Sequence, residues 1–324
     1  MRKAIWILAS CGVVWAAIWI VLTQLGAYAV RSWFDHQRAA GLVATHDGVR
    51  AHGFPHRFGI AVMQPFIEDS TAPVAWQAPR LDIAAAAHRP HHVVVTWPDQ
   101  QQLRVAGWDV ALRSEALRAA MTLQPLAGFA PGHGALTGRA LEVEAAGLTS
   151  RLGTLDLALD QLASDPQSWN VALDATALEL PQLVTMLPEN PPRSIEQLHV
   201  DAALHTAPRD AAAGAPVRGW AGQLELHRMQ LSWGEMELGL QGDMTAAHDG
   251  ALSGRFTLRA RNWQQMLEMA TALGVLGDER AEFLRRALQT LDDGTEGEQT
   301  LEVPLTLADG HVRIGRIPIA PLPR

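Results

Sequence analysis

Met236-Glu237-Leu238-Gly239-Leu240-Gln241-Gly242-Asp243-Met244 sets Met236, Leu238, Leu240 and Met244 against Glu237, Gln241 and Asp243. Side chains alternate across a strand, so this spacing describes one with an apolar face and a wet face. The same period recurs on both sides of it. Leu155, Leu157 and Leu159 alternate with Asp156 and Asp160, and Phe256, Leu258 and Ala260 with Thr257, Arg259 and Arg261. Leu301, Val303, Leu305 and Leu307 repeat it near the end. Gly138, Gly153, Gly222, Gly234, Gly242 and Gly254 punctuate these runs, and Ala247-His248-Asp249-Gly250 reads as a hairpin loop. The expected fold is mainly β with a few α-helices. It is a large antiparallel sheet, repeated and curled into a groove, with strand order following chain order.

Two segments look like copies of one unit of three strands and a helix, residues 139–187 and 222–275; the competing reading is that any meander looks this way. Pro181 opens and Pro188 closes the first helix. Asn262 is the expected N-cap of the second, with Trp263, Met266, Leu267, Ala270 and Leu273 inward. Gly274 to Gly277 makes a corner into a further helix capped by Asp278, with Phe283, Leu284, Ala287, Leu288 and Leu291 on one side. Thr206 to Pro216, rich in Ala, Gly and Pro, is a linker or a long loop.

At the other end of the chain, Arg2 and Lys3 precede a run from Ala4 to Leu22 without a charge. Those residues span about 28 Å as a helix, close to the hydrocarbon thickness of a bilayer. Residues 1–30 are therefore expected to be a signal anchor crossing the membrane once, 31–41 a juxtamembrane helix that lifts the body off the bilayer, and 42–324 a periplasmic β-rich domain. The two N-terminal charges favour N-in and body out, against Arg31 and Arg38 on the far side. Cleavage after Ala29, a lipoprotein box at Leu8-Ala9-Ser10-Cys11 and a buried core helix are the rival readings.

Composition excludes several chemistries. There is no Lys after Lys3 and no Cys after Cys11, so the body has no P-loop lysine, Schiff base, disulfide or thiolate site. A net charge of -8 with interspersed Arg suggests no nucleic-acid surface. His88-Arg89-Pro90-His91-His92 and the group His46, His52 and His56 lack nearby acids at ligand spacing, and are read as surface or strand-end residues. Asp292-Asp293-Gly294-Thr295-Glu296-Gly297-Glu298 departs from an EF-hand loop and is read as a solvated acidic turn. No catalytic motif is present, so no enzyme, no cofactor and no metal are expected.

Gly53-Phe54-Pro55-His56-Arg57-Phe58 is the most specific motif, followed by Trp76-Gln77-Ala78-Pro79 and Trp97-Pro98, with Asp309-Gly310-His311-Val312 and Ile317-Pro318 at the end. In these features the sequence resembles a bacterial membrane-anchored family, domain of unknown function 2125, which carries no assigned activity. The layout is also similar to AsmA-like envelope proteins, which implies handling of lipid or assembly of outer-membrane components. Physically, Gly53, Phe54, Pro55, Arg57 and Phe58 describe a β corner, with the two Phe packed beneath it and Arg57 free for another role. The functional expectation is a groove lined by Met236, Leu238, Leu240, Phe256 and Leu258, binding membrane lipid in the bacterial inner membrane. The alternative is a scaffold docking another envelope protein along the sheet.

Overall fold

A computed structural model describes all residues except 1, 70–72, 126–129, 163–164, 182–191, 207–220, 248–250, 275, 290–299, 309, 315–316 and 322–324. The hairpin loop 248–250, most of the helix expected after Pro181, the linker after Thr206, Leu291 and the acidic turn lie outside the described residues. The described chain is mainly β and antiparallel, with three helices. It divides into two compact units, residues 1–149 and 150–324.

In the first unit, α1 (Arg2–Ala39) is a single unbroken helix that contains both the apolar run and the juxtamembrane segment. Its segment Gly12–Ala39 is long and apolar enough to cross a membrane, and only 11% of its most apolar window is buried, whereas a core helix would be mostly covered. The helix does not lift the sheet away from its apolar run. One stripe, Trp15, Trp19, Thr23, Ala27, Val30 and Phe34, turns inward at helical spacing, and α1 lies against β1 (Val43–Thr45), β2 (Gly48–His52) and β3 (Arg57–Met63). Phe34 packs with Ala44 and Val62, joined by Val30, Ile67, Leu81 and Ile83. Gly26 permits the close approach, since a Cβ there would stand 2.6 Å from Ile60 Cδ1.

The sheet of this unit continues through β4 (Phe66–Asp69), β5 (Val74–Gln77), β6 (Arg80–Ala86), β7 (Arg89–Trp97), β8 (Gln100–Val105), β9 (Trp108–Arg113), β10 (Ala116–Gln124) and β11 (Ala130–Ala145). Its strands come in pairs, each being one long strand interrupted at the same height. β1 pairs β4 while β2 pairs β3, and β5 pairs β8 while β6 pairs β7. The interruptions fall at His46-Asp47, Gln64-Pro65, Ala78-Pro79, Pro98-Asp99 and Ser114-Glu115. Three of these sites contain proline, which has no N–H for the ladder. The remaining amides bridge the crease: Gln64 N–H donates to Pro79 O at 3.0 Å and Ser114 N–H to Asp99 O at 2.9 Å. The result is a creased meander whose long strands follow chain order.

The second unit is a plainer meander. β12 (Leu148–Leu162), at whose start the unit boundary falls, pairs β13 (Asp165–Glu179), and then β14 (Ser194–Thr206), β15 (Gly222–Trp233), β16 (Met236–Ala246), β17 (Leu252–Arg261), β18 (Thr300–Ala308), β19 (His311–Ile314) and β20 (Ile317–Pro321) follow, each antiparallel to the last. Between β17 and β18 the chain forms α2 (Trp263–Ala272) and α3 (Asp278–Gln289). These bury Trp263, Leu267, Ala281, Leu284 and Leu288 against Ala260, Leu301 and Val303.

Two details of these helices differ from expectation. Asn262 holds the N-cap position in a left-handed conformation without a side-chain cap bond; its Nδ2 donates instead to Glu235 O at 2.8 Å, tying the helix start to the β15–β16 turn. Phe283, placed inward by the sequence, is 49% exposed. The helix presents Ala281, Leu284 and Leu288 inward, and Phe283 falls one position off that stripe.

Candidate functional site

The residues that single out the second unit are those of its apolar face. Cross-strand register aligns Leu157, Leu173, Val200, Met229, Leu240, Leu258 and Val303 in one row spanning β12 to β18. A second row runs Leu159, Val171, Ala202, Leu226, Gly242, Phe256 and Leu305. The opposite face is polar: His199 Nδ1 meets Asp174 at 2.7 Å, and Arg259 pairs with Glu302 at 2.8 Å.

Keeping both rows on one side requires a bulge in β15, where Leu226 faces Gly242 but Met229 faces Leu240. Three residues advance against two, so the apolar positions switch from even to odd numbers without leaving the face. Gly242 permits close approach of the partner strand: a Cβ there would clash with the Arg255 carbonyl oxygen and stand 2.8 Å from Cδ1 of Phe256.

Helices α2 and α3 cover one margin of this face. Met236 is 2% exposed and Leu238 packs against the helix-covered cluster, so these two residues belong to closed core, not to an open groove. Leu240, Phe256 and Leu258, the other three expected lining residues, are half-buried. Leu157, Leu173, Val200 and Met229 lie outside the covered cluster and are also half-buried. Helix α2 is anchored at its first residue by the buried Trp263.

The first unit repeats this plan with its own helix. Ile60, Ile83, Val95, Ala119 and Leu136 form a cross-strand row from β3 to β11, and α1 covers its β1–β3 margin. Farther along the same face, Met121 is 45% exposed.

The Gly53–Phe58 corner sits where α1 crosses the β2–β3 connection. Gly53 has φ 97°, which favours glycine, and its carbonyl accepts from Arg57 N–H at 2.9 Å; the Phe54–Pro55 bond is cis. Two helix tryptophans clasp the corner: Trp15 Nε1 donates to Pro55 O at 3.1 Å and Trp19 Nε1 to Arg57 O at 2.9 Å. Phe58 packs on Trp15, whereas Phe54 stands edge-on to Trp19 and is 55% exposed, so only one of the two Phe lies beneath the corner.

Sequence spacing missed two polar clusters, because strand pairing assembles them from distant positions. His52 Nε2 lies 3.0 Å from Asp82, which also takes two bonds from Arg80 at 2.6 Å. Burial pushes the Asp82 carboxyl up, but the Arg80 guanidinium and His52 outweigh it and leave its pKa below the ordinary value. Ser168, fully buried, bonds both Asp165 and His205 Nδ1, the latter at 2.6 Å. The Ser168 hydroxyl and the Gln167 N–H hold the Asp165 pKa down. The carboxylate contacts the serine rather than the imidazole, and the hydroxyl has no open side for a substrate, which makes this a structural knot at a strand end. The alternating pattern gave no signal for either cluster.

No curated protein and no solved structure matches the chain. A family described as "Uncharacterized protein conserved in bacteria (DUF2125)" matches residues 19–323, beginning within α1 and running nearly to the last residue, so the chain belongs to that family.

Proposed function

We propose that this protein is held in the bacterial inner membrane by α1, with its body in the periplasm, and that its apolar sheet faces shelter the acyl chains of lipids. The observation that carries the reading is the apolar row from Leu157 to Val303, seven strands wide, whose covered margin ends near β16. An apolar face of that breadth is a standing cost in water unless something covers it. A helix able to cross a membrane ties the chain to a bilayer, which is a source of acyl chains. The polar opposite face, laced with His–Asp and Arg–Glu pairs, supports solvent on that side.

Purification of the full chain without detergent exchange of its native lipid, followed by mass spectrometry of the bound fraction, tests this. Phospholipid at a fixed ratio to protein is expected. Lipid-free protein in which the Leu157–Met229 rows are protected from solvent would overturn it and favour closure of the face by protein.

A further inference from the structure

We propose that the corner Gly53–Phe58, with the neighbouring β6–β7 turn, is a second membrane contact of the first unit. Phe54 enters the boundary between headgroups and acyl chains, and a cationic rim faces lipid phosphates. The proposal rests on the reading of α1 as a membrane anchor. The apolar run of α1 gives way to the polar pair Thr23-Gln24 after Leu22, and the tryptophans that clasp the corner precede that point. At helical rise, Trp19 lies about 5 Å and Trp15 about 10 Å inside it. Because their indoles are bonded to Pro55 O and Arg57 O, a helix that places Ala4–Leu22 in the bilayer brings the corner down to headgroup depth. Tryptophan prefers that zone, where an apolar ring and a wet N–H are both satisfied.

The chemistry of the corner fits the depth. Phe54 stands edge-on to Trp19 with more than half of its apolar ring, 55%, left exposed. The β6–β7 turn adjoins it, with Ala87 N–H donating to His56 O at 3.0 Å. Segments 53–58 and 86–92 carry Arg57, Arg89, His56, His88, His91 and His92 and not one acid; His56, Arg57, His88 and Arg89 are exposed. The opposite end of the meander carries Glu68, Asp69, Asp109, Glu142 and Glu144, of which Asp109 pairs with Arg104 and Glu142 and Glu144 with Arg113. Among the described residues, unpaired positive charge thus gathers at the end from which the N-terminal part of α1 projects, whereas the end away from it holds an excess of acids, three of them paired with arginine. A phosphate-bearing surface attracts the first and repels the second.

The test uses the full chain with Cys11→Ser, reconstituted in vesicles of phosphatidylethanolamine and phosphatidylglycerol whose acyl chains are brominated near the glycerol in one part of the lipid and near the chain end in the other. A polarity-sensitive fluorophore is placed singly through Val13→Cys on the helix, Phe54→Cys at the corner or Val74→Cys at the far sheet end. The expected result is a blue-shifted, bromine-quenched emission at positions 13 and 54, with 74 unquenched. Quenching at 13 with position 54 matching 74 overturns the corner contact and leaves the anchor standing; no quenching at 13 overturns the anchor reading and the corner with it. In the Arg57→Ser, Arg89→Ser double variant, quenching at 54 is expected to fall in phosphatidylglycerol vesicles. An unchanged signal there overturns the phosphate contact.

Discussion

Replacing Trp263 with Ala tests whether the helical pair is a load on the sheet or an ornament of it. Trp263 is 3% exposed and packs in one cluster with Ala260, Leu267, Ala281, Leu284, Leu288, Leu301 and Val303. It opens α2, and Asn262 beside it bonds back to Glu235, which fixes the helix start to the β15–β16 turn. Truncating a buried tryptophan costs about 3–5 kcal/mol, from lost transfer energy and the cavity left behind. Opening of α2 and α3 would then become easier by roughly two to three and a half orders of magnitude, at about 1.4 kcal/mol per factor of ten. Hydrogen exchange of amides in 263–289, followed by mass spectrometry on the full chain, reads that factor directly. Phe283→Ala is the control: 49% exposed on α3, it is expected to shift exchange by less than about 0.5 kcal/mol equivalent. If Trp263→Ala and Phe283→Ala give the same small change, the packing account of the covered margin is wrong.

Other perturbations probe the first unit and the polar knots. Gly26→Ala is expected to be near neutral, since about 1 kcal/mol of helix propensity offsets a small shift of the Ile60 side chain; Gly26→Leu overpacks the same seam and is expected to cost about 1–3 kcal/mol in thermal unfolding. An unchanged melting point for Gly26→Leu would mean that α1 is not seated on β3. The lowered pKa of Asp82 gives a sign for acid sensitivity. Its contribution is fully present above the unfolded value of about 3.9 and is lost as pH falls through the depressed folded value. Asp82→Asn should therefore flatten the acid limb of the stability curve, and an identical limb in both proteins would refute the assignment. Ser168→Ala leaves His205 Nδ1 and Asp165 without their shared partner and is expected to cost about 1–3 kcal/mol, measured by urea unfolding.

Much of the second unit is written in its period of two. Met236 to Met244, Phe256 to Ala260 and Leu301 to Leu307 form strands whose apolar positions share a face, because a half-buried antiparallel strand constrains every second residue and little else. Alternation does not say how far a face is covered. Met236 and Leu238 share the pattern of Leu240 and Leu258, yet Met236 is fully buried and Leu238 packs against the cluster under α2 and α3. The β15 bulge hides in the same way: Leu224 and Leu226 look out of phase with Met229 and Leu231 until the partner strand is known.

In the first unit the crease defeats periodicity. Interruptions at Gln64-Pro65, Ala78-Pro79 and Pro98-Asp99 read locally as ends of short strands, although together they form one line across a meander of long ones. The helix posed a different problem. Its apolarity was legible from Ala4 to Leu22, but the stripe that seats it on the sheet uses Thr23, Ala27 and Phe34, whose roles depend on Ile60 and Val62 far along the chain. Two exposed features, Phe54 and the cationic turn, acquire meaning only when that seating sets their depth.

The central claim, that the open apolar rows shelter acyl chains, is tested most directly by adjacent residues on opposite faces of one strand. Leu173 lies on the apolar row and Asp174 on the polar face beside His199. A photoactivatable side chain at each position in turn, irradiated in membranes of living cells, is predicted to give lipid adducts at 173 and none at 174. Equal lipid labelling at the two positions, or protein adducts alone at 173, would contradict the account.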